Sequence, residues 1–127
     1  MKPQIIRGNM LKFIPAGHED PKNPSVLKKV LISFGEQRIK GRIQMINWAK
    51  LLAGKNFTPH YHEDMDEIFI ILSGRNIRVK VGSLSDVLYQ GDAIFIPRKT
   101  VHRMDNNSNK DMDYIALGVS SGNAVKL

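Results

Sequence analysis

Three of the chain's four histidines fall in two short stretches whose residue types could do chemistry. The first stretch runs from Gly54 to Glu67 and contains His60 and His62. In a β-strand, residues i and i+2 point to the same face, so the two imidazoles would project side by side. A pair of imidazoles held in this way is suited to bind a divalent metal. The same residues also fit a solvated acidic turn flanked by two surface histidines.

A carboxylate follows this histidine pair at the start of an apolar run. A turn across residues 63–66 would begin a new strand at Glu67, opposite the first. Glu67, Phe69 and Ile71 would share one face of that strand. The pattern therefore predicts a carboxylate beside the imidazoles, above an apolar floor.

The second stretch spans residues 91–106 and contains the third histidine, His102. A Gly-Asp turn leads into an apolar strand that ends at Pro97, and the chain then returns. Alternation along the returning strand places His102, Met104 and Asn106 on one face. We therefore expect His102 to be a fourth metal ligand, delivered from a separate strand.

The elements that must position these residues are predicted to be β-strands. Short runs rich in Val, Ile, Tyr and Phe are separated by glycine or polar turns, which is typical of an all-β sandwich or barrel. Residues 15–25 are rich in proline and predict a loop. The predicted strands are 27–33, 42–50, 57–62, 67–72, 76–82, 86–89, 92–97, 101–106 and 113–118.

The two stretches resemble the paired motifs of the cupin superfamily. The first motif, G-x5-H-x-H-x4-E-x6-G, is matched at every fixed position by Gly54, His60, His62, Glu67 and Gly74. The second motif, G-x5-P-x-G-x2-H-x3-N, is matched by Gly91, Pro97, His102 and Asn106, with Lys99 in place of its internal glycine. A tight turn with positive φ is costly for lysine, which leaves a turn of another type open.

The resemblance implies a single domain over residues 1–127 with the cupin fold. This fold is all-β: a double-stranded β-helix, or jelly-roll barrel, of two antiparallel sheets. We expect an extended arm and loop over residues 1–25, the barrel over 26–118 and a tail over 119–127. Inside the barrel one divalent transition metal (Fe, Mn, Ni, Cu, Co or Zn) is expected on His60, His62, Glu67 and His102.

Cupins include dioxygenases, isomerases, lyases and decarboxylases, so the resemblance does not fix a reaction. A metal-dependent dioxygenase or isomerase acting on a small oxygenated metabolite is the leading expectation. The alternative is a non-catalytic metabolite or metal sensor. Glu67 or a metal-bound water could take the proton, and Glu67 is the candidate catalytic residue. The expected substrate-pocket residues are Thr58, Phe69, Met104 and Asn106, although Thr58 and Asn106 also fit structural hydrogen bonding.

The charge of the chain bears on its partners. The formal charge is +7, and the whole excess lies within residues 1–50 without any long basic run. We therefore expect no nucleic-acid partner. No apolar run is long enough for a membrane span or a signal peptide, so no membrane partner is expected. The lack of cysteine fits a cytoplasmic location and excludes thiolate metal ligands.

The remaining expectations concern ligand charge and assembly. Arg98, Lys99 and Arg103 either form a solvated rim or steer a small-molecule ligand, with an anion as one option. His18 lies beside acidic residues and is either an ordinary surface residue or part of a lid or of a further ligand group. The resemblance implies a homodimer, in which residues 5–13 could pair with a partner's sheet edge.

Overall fold

A computed structural model describes residues 2–33 and 41–120, which form an almost entirely β structure. One short 3-10 helix, Gly8–Met10, interrupts the N-terminal part. The strands are β1 (Gln4–Ile6), β2 (Ile14–Pro15), β3 (Leu27–Lys28), β4 (Arg42–Leu51), β5 (Met65–Ile71), β6 (Ile77–Val81), β7 (Leu84–Leu88), β8 (Ala93–Ile96), β9 (His102–Asn106) and β10 (Met112–Ser120).

Two antiparallel sheets enclose the core. One has five strands in the order β1-β8-β5-β10-β4, and the other has three in the order β7-β6-β9. Strand β6 alternates buried and exposed residues along its length, as expected of a strand with one face toward a core. Buried side chains of both sheets form one cluster, which includes Phe69 and Ile94 from the larger sheet and Val79 and Met104 from the smaller. The all-β jelly-roll architecture predicted from the sequence is confirmed.

The N-terminal segment adds a strand to the chain's own barrel. Strand β1 pairs antiparallel with β8 of the same chain, so this part of residues 5–13 is bound within the molecule. Arg7 fixes the pairing through Asp92, at 2.5 Å, and Asp86, at 3.2 Å. The backbone at Gly8 runs so close to Gly91 that a side chain at position 8 would collide with the Gly91 carbonyl.

The prediction of a strand over residues 57–62 is wrong. This segment contacts β9 only through isolated bridges, from Asn56 to Asp105 and from His60 to His102. Pro59 lies between these bridges and has no N–H to donate to a ladder, which explains the irregular backbone. The segment of residues 57–62 therefore lies beside β9, and the predicted pairing with the strand of Glu67 does not form.

Several predicted strand boundaries also differ. Strand β3 is only two residues long, β5 begins at Met65 and β7 at Leu84, each two residues earlier than predicted, and β10 continues to Ser120, beyond residue 118. Within the described residues there is no helix of the length and apolar character that crossing a membrane requires.

Candidate metal centre

Four side chains from three parts of the chain converge at one end of the barrel. His60 and His62 come from the irregular segment before β5, Glu67 from β5 and His102 from β9. One ligand atom from each side chain lies within 4.8 Å of the ligand atoms of the other three. The structure thus brings together all four residues expected as metal ligands.

Backbone carbonyls orient two of the imidazoles. The Nδ1 of His60 lies 2.8 Å from the carbonyl oxygen of Thr58, and the Nδ1 of His102 lies 2.9 Å from that of Thr100. A carbonyl oxygen only accepts, so Nδ1 carries the proton in each ring. In a neutral imidazole the other nitrogen, Nε2, then presents a lone pair to the centre.

Two buried atoms at the centre lack a hydrogen-bond partner among the residues that the structure describes. They are Oε1 of Glu67 and Nε2 of His102, which lie 3.1 Å apart. With the His102 proton on Nδ1, both atoms are acceptors, and two facing acceptors do not stabilise each other. A cation bound by both would satisfy the two lone pairs at once. The residues present therefore fit a divalent metal, because a cluster of nitrogen and oxygen donors surrounds these two unsatisfied atoms.

His62 completes the cluster beside Glu67. Its Nε2 lies 3.0 Å from Oε1 of Glu67. Burial lowers the pKa of His62 below its ordinary value; the negative charge of Glu67 opposes this effect, and His60 and His102 add to it. The ring therefore favours the neutral form, which is the form that binds a metal.

Long-range contacts hold the irregular segment in place. His60 and His102 exchange backbone hydrogen bonds of 3.3 and 3.0 Å, and the N–H of Lys99 donates to the carbonyl oxygen of His62 at 2.7 Å. Both ligands of the segment are thereby attached to the turn and strand that carry His102.

An arginine clamp reinforces this attachment. The guanidinium of Arg98 contacts Asp64 at 2.6 Å and Asp66 at 3.2 Å, and the N–H of Arg98 also donates to Asp66 at 2.8 Å. The hydrogen bond with Asp66 raises the pKa of Arg98 above its ordinary value, so the clamp stays charged. Sequence reasoning considered Arg98 only as a rim or a steering cation, and missed this pairing.

Aromatic rings form a wall on one side of the imidazoles. The ring centre of Phe57 lies 5.4 Å from that of His60, and the ring centre of Phe69 lies 6.0 Å from that of His102. Tyr114 packs on Phe69 at 5.1 Å. Burial, with a smaller contribution from the charge of Glu67, raises the pKa of the Tyr114 phenol. Sequence reasoning did not single out Tyr114, although alternation along the last strand could have placed it on the interior face.

The other expected pocket residues lie at different distances from the centre. Thr58 is exposed and contributes its carbonyl to His60. Met104 is fully buried in the core on the same face of β9 as His102. The Asn106 amide donates to the carbonyls of Leu51 and Lys110, at 3.0 and 2.7 Å. This amide therefore links loops at the opposite end of β9 from His102, and it does not face the metal ligands.

The basic residues near His102 do not form a common patch over the centre. Arg103 pairs with Asp105 at 2.7 Å on the outward face of β9. That face borders a cleft of about 450 Å³ that Arg78 and Lys80 also line. Lys99 has a φ of 63°, so it adopts the left-handed conformation of the glycine it replaces, and a turn of another type does not form. The ring of His18 is 72% exposed and lies 3.4 Å from Glu19, outside the cluster.

Comparison with known proteins identifies the family. The model of the cupin domain matches residues 47–118, which is more than half of the chain and includes all four clustered residues. The chain belongs to the cupin domain family.

Individual relatives are distant from this cupin. An uncharacterized protein of Methanocaldococcus jannaschii is 34% identical over 70 residues, which cover 55% of each protein. The chain thus spans about half the length of that curated relative.

Solved structures share the fold of this cupin. A predicted oxalate decarboxylase of Thermotoga maritima is 24% identical with a TM-score of 0.57, over 61% of this chain and 67% of that one. A cupin protein of Bacteroides fragilis is 22% identical with a TM-score of 0.55, over 65% and 70% of the two chains. At these identities the likeness extends to the fold alone.

Proposed function

We propose that this cupin is a metal-dependent enzyme acting on a small oxygenated metabolite, of the dioxygenase or isomerase type. The observation that carries the proposal is the pair of buried, unsatisfied acceptors on Glu67 and His102, next to an exposed His60. A cation bound between these two acceptors would satisfy both of them. The exposed histidine marks the side from which a small molecule can reach it.

One divalent transition metal (Fe, Mn, Ni, Cu, Co or Zn) would be held by His60, His62, Glu67 and His102. When bound, it supplies Lewis-acid polarisation of substrate oxygen atoms or, if redox-active, oxygen activation. The donor set of imidazoles and one carboxylate does not select among these metals.

The remaining groups of the site have roles that follow from their chemistry. Phe57 and Phe69 present apolar rings beside the imidazoles and so exclude water from that side. Burial raises the pKa of the Tyr114 phenol further above neutral pH, so the phenol stays protonated and can donate a hydrogen bond. Glu67 is the candidate proton acceptor, through a carboxylate oxygen that is not engaged as a ligand.

A sensor is the second candidate function, and the composition of the cluster favours it. Glu67 is the only carboxylate among the clustered residues, and it is needed as a ligand. A dedicated general base is thus not part of the cluster, whereas binding a metabolite on the metal requires none. In this case the protein would retain its ligand without turnover.

The test is elemental analysis of protein purified without a metal-chelating resin, with mass spectrometry of any co-purified small molecule. We expect close to one transition-metal ion per chain, and its loss in His60→Ala and His102→Ala. Metal-free protein that takes up no ion from any of the six divalent salts would overturn the proposal.

Turnover separates the two candidate functions. The co-purified molecule, or a panel of small oxygenated acids and keto compounds, is incubated with metal-loaded protein while dissolved oxygen and products are followed. Oxygen consumption with both oxygen atoms recovered in the product would identify a dioxygenase, and a product of unchanged mass without oxygen consumption an isomerase. Tight retention of an unchanged molecule would favour the sensor.

We further propose that the protein works in the cytoplasm, with no nucleic-acid partner. The chain has no cysteine, which suits a reducing compartment, and its excess of positive charge lies in the first 50 residues, which precede the clustered residues in sequence. Cell fractionation of tagged protein expressed in its native host would test the location. Recovery in a membrane or secreted fraction would contradict it.

A further inference from the structure

The outer face of the five-stranded sheet is covered at one side and open at the other. Residues that are paired directly across neighbouring strands form a row on this face. The row runs from β8 through β5 and β10 to β4 and consists of Phe95, Ile68, Leu117 and Ile46. Phe95 and Ile68 are 2% and 4% exposed, whereas Ile46 is 63% exposed. The apolar face therefore continues on β4 with no cover from the described residues.

Strand β4 also lies at the edge of this sheet. It is ten residues long, and its only partner among the described strands is β10. Natural edge strands are protected by charges, prolines or bulges. Here a bulge at Gln44 and the charged Arg42 and Lys50 protect the two ends. The intervening residues 45–49 have none of these protections.

Exposed apolar residues make this edge a large patch. Trp48, Ile46 and Ile43 are 71%, 63% and 60% exposed. Three side chains of this size present on the order of 300–400 Å² of apolar surface. That is as large as the largest patch of a typical monomer and about half of what one partner buries in a standard interface.

We propose that β4 is the contact surface for a second copy of this chain, which pairs β4 with β4 around a two-fold axis at Asn47. This inference goes beyond the proposed function and does not depend on the metal. In an antiparallel pair centred on Asn47, Trp48 of each copy lies opposite Ile46 of the other. The two resulting pairs each join an aromatic and a β-branched side chain on the outer face. Cross-strand pairs of this kind stabilise the sheet that the two copies would form.

Other registers of the same two strands are worse. A two-fold axis at Ile46 would place Lys50 opposite Arg42 of the second copy, twice, and like charges directly opposite are destabilising. An axis at Trp48 would place Lys50 against Ile46. An axis between two residues would join the outer face of one copy to the inner face of the other. The side-chain pairs, the charges and the faces that are joined therefore favour the pairing centred on Asn47. This self-complementary pairing indicates a second copy of the chain as the partner.

This interface replaces the one expected from the sequence. A pairing through residues 5–13 with a partner's edge is not needed for β1, which already pairs with β8 of its own chain. The exposed residues Met10 and Phe13 of the N-terminal segment remain the competing apolar surface.

The test combines sedimentation with fluorescence of Trp48, the only tryptophan of the chain. We expect the full chain to be a dimer at micromolar concentration. Dilution to the monomer should shift Trp48 emission to longer wavelength, because the indole becomes solvated. Ile46→Lys should raise the dimer Kd by roughly a hundredfold, since the substitution acts twice across the axis. Ile46 is exposed in the single chain, so the variant should keep the wild-type circular dichroism spectrum and, at concentrations where both proteins are monomeric, the wild-type melting temperature.

Met10→Lys is the matched control, since Met10 is 78% exposed on the other apolar surface. It should leave the dimer unchanged. The proposal is overturned if the wild type stays monomeric at 100 times the assay concentration, or if Met10→Lys rather than Ile46→Lys dissociates it. Trp48 emission that does not change between dimer and monomer would also overturn it. None of these outcomes depends on metal content, so they are separate from a failure of the proposed enzyme or sensor.

Discussion

The two halves of the metal centre are built differently. Glu67 and His102 lie on regular strands, are 4% and 2% exposed, and have their positions fixed by sheet register. His60 and His62 lie on an irregular segment that is more open to solvent and is held by a few long-range contacts. The strand half supplies a rigid, dry pair of donors. The irregular half gives the centre an open side, and its geometry depends on residues far away in sequence.

The strongest test of this contrast is Glu67→Gln, in the buried half. We expect metal affinity to fall by more than about 100-fold, because an amide is a much weaker ligand than a carboxylate. The metal-free protein should become more stable by about 1 kcal/mol, since the amide can donate to the unsatisfied Nε2 of His102. Calorimetric metal titration and urea unfolding in chelator measure the two effects.

Asp113→Asn is the control for this prediction. Asp113 is a surface carboxylate paired with Lys50 at 2.6 Å, and its removal should leave metal affinity unchanged. A metal-free Glu67→Gln protein that is clearly less stable than the wild type would show that the two facing acceptors are not a source of instability.

The clamp on the irregular half should give the next largest effect. Arg98→Ala leaves the Asp66 carboxylate, 8% exposed, without its guanidinium partner. We expect the free energy of unfolding to fall by about 2 kcal/mol, and metal affinity to fall by roughly 10–100-fold as His62 loses its fixed position. Unfolding is followed in chelator, and affinity by titration of the folded protein.

Arg103→Ala provides the comparison, because Arg103 also pairs with an aspartate but on the outward face of β9. Partly exposed pairs of this kind contribute about 0–1 kcal/mol, so stability should hardly change and affinity should not. Equal losses of affinity in the two variants would mean that the Arg98 clamp has no particular role in positioning His62.

Lowering the pH should weaken the metal-free protein through the irregular half. Burial lowers the pKa of His62 in the folded state, so the unfolded chain, which titrates near ~6.5, binds more protons below that value. The contribution of His62 to stability is therefore fully present above the unfolded pKa, and it is lost as the pH falls from that value through the lower folded-state pKa. Melting temperatures of chelator-treated protein between neutral and mildly acidic pH measure the slope.

The variant His62→Gln should reduce this slope, because the titrating group is gone. His18→Gln should leave it unchanged, because the His18 ring is 72% exposed and lies outside the cluster. If both variants keep the full wild-type slope, another group must be responsible for the acid sensitivity.

The smallest effect concerns the turn that links the two halves. Lys99 adopts a φ of 63°, which disfavours a residue with a Cβ by about 1 kcal/mol relative to glycine. Lys99→Gly should raise stability by about this amount and leave metal content unchanged. Asn76→Gly, at a φ of 54°, should gain less, because asparagine tolerates this conformation. A loss of stability in Lys99→Gly would show that the lysine side chain makes a compensating contact.

Sequence patterns predicted the strand half of the centre well, because alternation along a strand has a period of two. That rule places Glu67 with Phe69 and Ile71 on one face, and His102 with Met104, as the register of β5 and β9 shows. Spacing also identified all four clustered residues, since the two motifs fix their separations.

The irregular half was less predictable, because its structure depends on partners remote in sequence. Alternation predicts a strand for residues 57–62, but Pro59 has no N–H to donate and interrupts it. The clamp of Arg98 on Asp64 and Asp66 joins residues more than thirty positions apart, and no local pattern indicates it. The left-handed turn at Lys99 likewise depends on the tertiary hydrogen bond from its N–H to His62.

The close approach of Gly8 to Gly91 limits which sequences the N-terminal segment can accept. In a saturation library, position 8, the buried first residue of the 3-10 helix, should tolerate no residue other than glycine. Its neighbours Asn9 and Met10 are exposed and should accept many replacements. A single backbone contact would then appear, in the pattern of surviving variants, as one invariant position directly before two permissive ones.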